Sequence, residues 1–290
     1  MAGFRVVVIK ERCKLDLRSN RIFYRGEQEK FIVISEVFML IIESTGVSIT
    51  SALLSELIKN DVAIIFCDEK HNPESELLPL YGSYDCPAKL NEQLNWEKYV
   101  CERVWTEIVK NKIKQQSRHL FDSGHIDEAT QLLKYESEVE LFDATNREGF
   151  SAKVYFDALN GQDFCRRNDC DLNGMLNYGY AILLSCFNRE IVADGFLTQL
   201  GIWHKGSSNQ FNLSCDLMEP FRVVVDRVVE KIDKKQNFKQ AILNGIFSTK
   251  LVIGGKKEDF DKAISIYCHS VFYALKSGDF SKILFFEYEL

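Results

Sequence analysis

The chain has 290 residues, of which 46% are hydrophobic and 27% charged, and its formal net charge is -6 at pH 7. This length is enough for one large domain or two smaller ones, each with its own hydrophobic core. The longest apolar run, near 180–187, is too short to span a bilayer, and no N-terminal basic and apolar signal is present. We therefore expect a cytoplasmic protein that has no membrane association.

The N-terminal quarter is predicted to be rich in β-structure. Short runs of β-branched and aromatic residues between polar turns predict five strands, at 4–9, 21–24, 31–34, 37–42 and 62–67. Apolar residues at helical spacing predict one helix among them, over 51–60. Residues 1–75 are therefore expected to form a small N-terminal β-rich domain. Residues 76–90 have little periodicity and are predicted to be a linker.

The remainder, 91–290, is predicted to form a larger all-α C-terminal domain, which makes the fold class α+β. Apolar residues at helical spacing predict helices at 91–116, 127–142, 146–159, 172–192 and from 213 onward. Gly195 is placed to end the fourth of these helices. Nearer the C-terminus, Gly254–Gly255 predicts a turn and 260–275 an amphipathic stretch.

The negative net charge is unusual for a protein that handles DNA, because nonspecific affinity for phosphates comes from clustered lysine and arginine. Bases are nevertheless in excess in 1–30 and 222–262, whereas 122–143 has seven carboxylates and one lysine. The acidic segment is expected to face away from DNA or to meet a basic partner. Five lysines are candidate phosphate contacts, and a solvated helix face is an equally good interpretation of each. They are Lys234, Lys235, Lys239, Lys256 and Lys257.

A candidate metal site lies in the segment 203–222. Asp216 and Glu219 stand three residues apart at a predicted helix start, which puts both carboxylates on one face of that helix. His204, on the loop before them, adds an imidazole. One imidazole with one or two carboxylates suits Mg2+ or Mn2+. The alternative interpretation is that the carboxylates oppose the helix dipole and that the histidine is only solvated.

Glu148 is the best candidate for a further ligand elsewhere in the chain. It precedes Gly149 at a predicted helix start, where a helix former would prefer alanine, and this indicates space for something large. The alternative is a capping box over residues 145–148, in which Glu148 only returns to the backbone of Thr145. The spacing alone leaves both interpretations open.

Several catalytic motifs are absent from the sequence. It has no phosphate-binding G-x-x-x-x-G-K-[ST], no G-x-G-x-x-G after a strand, no G-x-S-x-G and no H-E-x-x-H. Nucleotide hydrolysis, hydride transfer and serine-based acyl transfer therefore lack support. Metal-dependent phosphoryl transfer needs no such motif, because the substrate supplies the nucleophile.

Two motifs resemble those of the CRISPR-associated integrase of type II-A systems. They are NREGFSA at 146–152 and NQFNLSCDLMEPFR at 209–222, the latter preceded by His204. The resemblance extends from the opening MAGFRVVV through VAIIFCD at 62–68 into the C-terminal half, so it covers essentially the whole chain. It implies a β-rich N-terminal domain and a helical C-terminal domain that contains the metal site.

The resemblance also implies the activity and the site residues. Position by position, the family's metal ligands, which are also its catalytic residues, fall on Glu148, His204 and Glu219. We expect Asp216 to orient a ligand or a basic residue rather than to bind the ion. The implied reaction is a transesterification in which the 3'-hydroxyl ends of a prespacer attack a CRISPR repeat, with Mg2+ or Mn2+ at the phosphodiester. This is the DNA integration step of spacer acquisition in antiviral defence.

Several partners follow from the same resemblance. The family's integrases are homodimers, and two dimers flank a central dimer of a small ferredoxin-like CRISPR-associated partner to make a hetero-hexamer. The DNA substrates are the prespacer and the CRISPR repeat. A ring-shaped DNA-binding adaptation protein and the type II effector nuclease are further expected partners.

Two positions depart from the family pattern. Glu219 has one methylene more than the aspartate that many relatives in other subtypes carry there, and Gly206 replaces an asparagine, which puts a DNA contact from the loop tip in doubt. Two other functions stay open. One is a metal-dependent endonuclease of branched DNA that uses water as the nucleophile, and the other is a non-catalytic DNA-binding scaffold.

Overall fold

The computed structural model describes residue 3 and residues 5–80, 82–232 and 237–288. The chain divides into two units, one made of Met1–Cys86 with Asn188–Gly195 and the other of Pro87–Phe187 with Phe196–Leu290. Two of the predicted phosphate contacts, Lys234 and Lys235, lie outside the described residues.

The first unit contains two four-stranded sheets and a short α-helix. In chain order its elements are β1 (Arg5–Ile9), β2 (Lys14–Arg18), β3 (Arg21–Arg25), β4 (Glu29–Val33), β5 (Val37–Ile42), β6 (Ser48–Ile49), α1 (Ser51–Lys59), β7 (Ala63–Cys67) and β8 (Pro73–Leu77). One sheet has the order β1-β5-β7-β8 and the other β4-β3-β2-β6. The β-rich character predicted for this part of the chain is confirmed.

Strand β5 is the centre of the first sheet. All six of its residues are buried, and it pairs in parallel with both β1 and β7. A strand that is covered on both faces needs a continuous apolar run, and Val-Phe-Met-Leu-Ile-Ile supplies one. This is why the prediction of 37–42 matches the observed strand.

The predicted set of strands was incomplete. Strand β2 was missed because it has no β-branched or aromatic residue, yet Leu15 is fully buried and Asp16 pairs with Arg25 on the neighbouring strand. Ser19 and Asn20 both have positive φ and make the tight turn into β3. The predicted linker overlaps two regular elements. The strand Pro73–Leu77 ends inside it, and the helix Cys86–Leu94 begins inside it.

The second unit is mainly helical, so the α+β class predicted for the chain is confirmed. It also contains a three-stranded sheet, which the prediction of an all-α C-terminal domain did not include. Its elements are α2 (Cys86–Leu94), α3 (Lys98–Asp122), α4 (Ile126–Ser137), α5 (Arg147–Asn160), α6 (Asp171–Ala193), α7 (Asn212–Leu217), α8 (Arg222–Glu230), α9 (Phe238–Ser248), β9 (Lys250–Ile253), β10 (Lys256–Asp259), α10 (Phe260–Ser277) and β11 (Glu287–Tyr288). The end of α6, from Asn188, belongs to the first unit. Gly254–Gly255 makes the predicted turn, between β9 and β10.

The predicted helix over 91–116 was wrong, because the structure has two helices there. Helix α2 ends at Leu94, and α3 begins at Lys98 after an extended Glu97. The side chain of Gln93 bonds to the carbonyl oxygens of Leu197 and Leu200, and its Oε1 accepts from the Leu197 amide. These long-range bonds anchor the end of α2, and local periodicity does not reveal them.

The predicted single helix from 213 onward was also wrong. Helix α7 ends at Leu217, a 3₁₀ helix follows over Glu219–Phe221, and α8 then begins at Arg222. Pro220 has no amide hydrogen to donate to the preceding turn, so the α-helical hydrogen-bond pattern cannot continue through it. Asp216 and Glu219 therefore do not share one face of one α-helix.

Among the described residues, no helix is both long enough and apolar enough to cross a membrane.

Candidate metal centre

Glu148 lies in the first turn of α5, and it does not cap that helix. The carboxylate of Asp143 accepts the amide hydrogens of Arg147, at 2.7 Å, and of Glu148, at 3.1 Å. The proposed capping box with Thr145 is therefore not formed. The side chain of Glu148 is left for another partner, and its Oε1 lies 2.5 Å from Nζ of Lys112.

Gly149 has a different role from the one its position suggested. A Cβ at this residue would lie 2.8 Å from both the nitrogen and the oxygen of the Asn146 side-chain amide. The space beside Gly149 is thus filled by Asn146, which itself has a left-handed backbone. The glycine permits a tight entry into α5 and does not by itself indicate a ligand.

Glu219 is buried at the start of its 3₁₀ helix, and its two carboxylate oxygens have different surroundings. Oε1 accepts from Nε of Arg222 at 2.8 Å, whereas Oε2 lies 2.5 Å from Nζ of Lys112. The second contact lacks hydrogen-bond geometry, so Oε2 is a buried oxygen that accepts no hydrogen bond within the described part of the chain. Burial raises the pKa of Glu219, but the charges of Arg222 and Lys112 outweigh it and hold that pKa at about 2. The group is a carboxylate at neutral pH.

Lys112 brings the two glutamates together. It stands on α3 and is buried, and its ammonium group contacts both Glu148 and Glu219 at 2.5 Å. Burial lowers the pKa of Lys112, but the two carboxylates outweigh this effect and raise it above its ordinary value. The side chain therefore keeps its positive charge.

His204 is oriented by Asp216. The fully buried carboxylate of Asp216 accepts the amide hydrogens of Ile202, Trp203 and His204, at 2.6, 2.9 and 3.1 Å, and lies 2.5 Å from Nδ1 of the imidazole. Because Nδ1 is occupied, Nε2 is the nitrogen left for a ligand. The hydrogen bond that the imidazole donates to Asp216 raises the pKa of His204 despite partial burial, and the negative charges of Asp216, Glu219 and Glu148 act in the same direction.

An aromatic cluster supports the loop that carries His204. Trp203 stacks on Trp105 with a centroid distance of 5.4 Å and an interplanar angle of 1°, and the His204 ring meets Trp105 edge-on at 6.0 Å. Phe142 packs against the other side of the loop, with its ring 4.3 Å from that of Trp203. The histidine is therefore fixed both by a carboxylate and by apolar packing.

Sequence reasoning missed two charged residues of the site, Lys112 and Arg222. A signal for Lys112 was present, because Val104, Ile108 and Lys112 are spaced by four on the buried stripe of α3. A charge at a core position requires a partner of opposite charge nearby. A signal for Arg222 was also present. It follows Glu219 by three residues, and side chains at this spacing lie close together in a helix.

Glu148, His204 and Glu219 carry side chains of the types that bind a divalent metal ion, although their ligand atoms do not all lie within 4.8 Å of one another. Two carboxylates and one imidazole nitrogen are ligands that suit Mg2+ and Mn2+. The buried Oε2 of Glu219 lies 2.5 Å from the ammonium group of Lys112, so a cationic group already stands where this anionic oxygen requires one. The roles of Glu148, His204, Glu219 and Asp216 in holding an ion remain predictions.

Comparisons with known proteins point to one family. The family model described as "CRISPR associated protein Cas1" matches residues 6–244. The chain is 32% identical over 245 residues to the CRISPR-associated endonuclease Cas1 of Neisseria meningitidis serogroup C, with 84% of this chain and 80% of that protein covered. It is 28% identical over 255 residues to an endonuclease of the same name from Francisella tularensis subsp. novicida, covering 79% and 78% of the two chains.

Solved structures share the fold at lower identity. A casposase bound to integration product aligns with a TM-score of 0.78 and 18% identity over 95% of this chain and 91% of that one. A CAS1 protein from Thermotoga maritima aligns with a TM-score of 0.74 and 17% identity over 93% and 97%. A chain of a Cas6-RT-Cas1–Cas2 complex aligns with a TM-score of 0.76 and 14% identity over 97% of this chain and 36% of that one. The matched family model covers most of the sequence, and the chain belongs to the Cas1 family of CRISPR-associated endonucleases.

Proposed function

We propose that this protein is the integrase of CRISPR adaptation, which joins prespacer 3'-hydroxyl ends to the CRISPR repeat by metal-dependent transesterification. The observation that carries the proposal is the pair Glu148 and Glu219, held against one cationic group with an oxygen of Glu219 left without a hydrogen bond in the described residues. The family supports it, and so does the fold shared with a casposase that was solved with its integration product.

Each residue has a defined part in this chemistry. Glu148, Glu219 and Nε2 of His204 would hold a Mg2+ or Mn2+ ion, which neutralises charge at the scissile phosphate and lowers the pKa of the attacking hydroxyl. Asp216 keeps His204 in the tautomer that presents Nε2. Arg222 fixes Oε1 of Glu219. No side-chain nucleophile is needed, because the prespacer supplies it.

The partners of the reaction are part of the proposal. We infer a homodimer of the type II-A form, two copies of which join a dimer of a small ferredoxin-like partner in a hetero-hexamer on DNA. A solved Cas6-RT-Cas1–Cas2 complex contains a chain of this fold, which supports a Cas2-type partner. A ring-shaped adaptation protein and the type II effector nuclease complete the set.

A second function, cleavage of branched DNA with water as nucleophile, is favoured by the endonuclease name of the relatives. It uses the same site and differs only in the nucleophile. The contacts of the two residues argue against the scaffold alternative, in which Glu148 caps a helix and His204 is merely solvated. Instead, Glu148 contacts Lys112, and His204 is bonded to Asp216.

A strand-joining assay tests the proposal. Labelled prespacer with 3'-hydroxyl ends is mixed with a repeat-containing plasmid, the small partner and Mn2+. We expect joined product from wild type and a loss of at least about 100-fold in Glu148→Ala, His204→Ala and Glu219→Ala, with the fold and dimer retained. Glu140→Ala, a change at an exposed acid in the same unit, is the control. Joining retained by all three variants contradicts the metal site, and cutting without joining favours the endonuclease.

A further inference from the structure

Lys112 occupies the position between the two carboxylates that we assign to the metal, and the inference drawn from it rests on the proposed function. Its Nζ lies 2.5 Å from Glu148 Oε1 and 2.5 Å from Glu219 Oε2, and only 11% of its side chain is exposed. The singly charged ammonium group of Lys112 therefore already lies between the two carboxylates that are expected to bind the ion. No other described lysine contacts either glutamate in an ion pair.

The charges of the site explain why this cation is needed. Two carboxylates held close together in a poorly solvated place repel each other, and a bound cation removes that repulsion. Lys112 and Arg222 together balance the two negative charges. Without a divalent ion and without Lys112, one carboxylate would have no counter-charge of its own.

The two cations are held in different ways. Arg222 donates from Nε to Glu219 at 2.8 Å, and its guanidinium group lies 4.8 Å from the centre of the Tyr180 ring, so it is fixed on two sides. Lys112 makes a hydrogen bond to Glu148, but its contact with Glu219 Oε2 lacks hydrogen-bond geometry. An ammonium on a flexible four-carbon chain is also easier to move than a planar guanidinium. Lys112 is thus the exchangeable cation of the pair.

We propose that Lys112 is a positioning residue that acts as the resident counter-cation of the ligand pair. Its ammonium group keeps Glu148 and Glu219 together before an ion arrives, and a divalent ion binds by displacing it. Metal binding is then an exchange of one cation for another. The affinity for the ion is lower than that of the same ligands without the lysine, and the ligands stay assembled when the ion is absent.

Mn2+ binding by isothermal titration calorimetry, which does not depend on joining activity, tests this proposal. Lys112→Met removes the charge and keeps a long apolar side chain, and we expect it to bind Mn2+ about tenfold more tightly or better, because a competing charge is gone. Lys112→Met should also melt at a lower temperature in EDTA and recover when Mn2+ is added. The matched control is Lys114→Met, on the same helix, where the lysine is 57% exposed and pairs with Glu287.

The outcomes separate this proposal from the proposed function. If wild type and Lys112→Met bind Mn2+ equally, and Glu148→Ala binds it poorly, the exchange proposal is overturned while the metal site stands. If no protein binds Mn2+, the metal site fails and this proposal fails with it. Should Lys112→Met not fold, Lys112→Met with Glu148→Gln removes the excess negative charge. We then expect the double variant to fold in EDTA, and a double variant that stays unfolded overturns the proposal.

Discussion

Asp226 shows at the scale of single residues how burial controls protonation outside the candidate metal centre. Its carboxyl group contacts the hydroxyls of Tyr180, at 2.5 Å, and Tyr155, at 3.0 Å. Tyr155 Oη lies 2.6 Å from Nδ1 of His119, and Nε2 of His119 lies 2.8 Å from the Glu230 carboxylate. Both tyrosine hydroxyls donate to the buried carboxyl group of Asp226, and Tyr155 links that group to His119 and Glu230.

Burial sets the protonation of both Asp226 and His119. It raises the pKa of Asp226 to about 6 in spite of the hydrogen bonds from Tyr180 and Tyr155, and the charges of Arg222 and Arg166 also oppose it. Burial also lowers the pKa of His119 to about 4, although Glu230 favours its charged form. Both shifts favour a neutral His119 and a protonated Asp226 in mildly acidic solution.

Asp226→Asn is expected to change the pH dependence of stability. An unfolded aspartate has a pKa of about 3.9, so the native state binds this proton more tightly and the contribution of Asp226 to stability falls as pH rises from about 4 to about 6. Asparagine lacks this effect. The free energy of unfolding of the variant should therefore rise relative to wild type by up to about 1.4 kcal/mol per pH unit across that window. Urea unfolding at several pH values measures it.

The shift at His119 has the opposite sign. The unfolded histidine binds its proton more tightly, so its contribution to stability rises with pH between about 4 and about 6.5. In wild type this contribution of His119 offsets part of the pH dependence that Asp226 causes. In Asp226→Asn the contribution of His119 is no longer offset. Asp127→Asn, at an exposed position on α4, is the control. Parallel curves for wild type and Asp226→Asn would show that Asp226 titrates normally.

At the scale of elements, the helices of the second unit pack at distances set by single small residues. Gly179 of α6 faces α8, and a Cβ there would lie 2.4 Å from Cγ1 of Val225. The same Cβ would lie 3.4 Å from Ile242 of α9. Since a β-branched side chain has little freedom to turn away, α6 and α8 can approach this closely only because residue 179 has no side chain.

Gly179→Ala and Gly174→Ala are a matched pair on the same helix. We expect Gly179→Ala to lower the free energy of unfolding by about 1–3 kcal/mol, since overpacking forces a shift of the neighbouring helix. Around Gly174 no atom lies within 4 Å of a Cβ, so alanine there should stabilise the protein by about 0.5–1 kcal/mol through helix propensity. Chemical denaturation of both variants measures the difference. Equal effects would mean that the contact at Gly179 relaxes freely.

The elements that were predicted correctly are those whose cause lies in neighbouring residues of the sequence. Strand β5 was found because its burial on both faces requires an apolar run, and the turn at Gly254–Gly255 was found from its glycines. The break between α2 and α3 was not found, because Gln93 anchors it through residues more than a hundred positions away. The same holds at the candidate metal centre. Glu148 and His204 were predicted from motifs, whereas the ion pairs of Lys112 could be seen only in the fold.

At the scale of the whole molecule, a net charge of -6 has to be reconciled with a proposed DNA substrate. The charges are segregated along the chain. Helix α4 starts with Asp127 and Glu128, whereas β10 starts with the exposed Lys256 and Lys257. Lys239, another predicted contact, lies over the ring of Tyr178 at 5.4 Å and is partly covered. The exposed pair on β10 is therefore the better candidate for phosphate contacts.

DNA affinity should fall steeply as salt rises if these lysines bind phosphates, because each contact releases condensed counterions. Changing both Lys256 and Lys257 to glutamine should reduce the slope of log affinity against log salt by about two. Fluorescence anisotropy with labelled repeat DNA measures both slopes. Lys98→Gln, at an 89% exposed lysine in the same unit, is the control. A salt response that is flat, or the same in the double variant, argues against these contacts.

The stacked pair Trp105 and Trp203 gives the protein an optical reporter next to His204. The two indoles are stacked with a centroid distance of 5.4 Å and an interplanar angle of 1°, so a movement of the loop changes the surroundings of both. The chain has only one other tryptophan, Trp96, which packs against Phe196. In a Trp96→Phe background the tryptophan fluorescence therefore comes only from this stacked pair. Ion or DNA binding that moves this loop can then be followed spectroscopically, without any added dye.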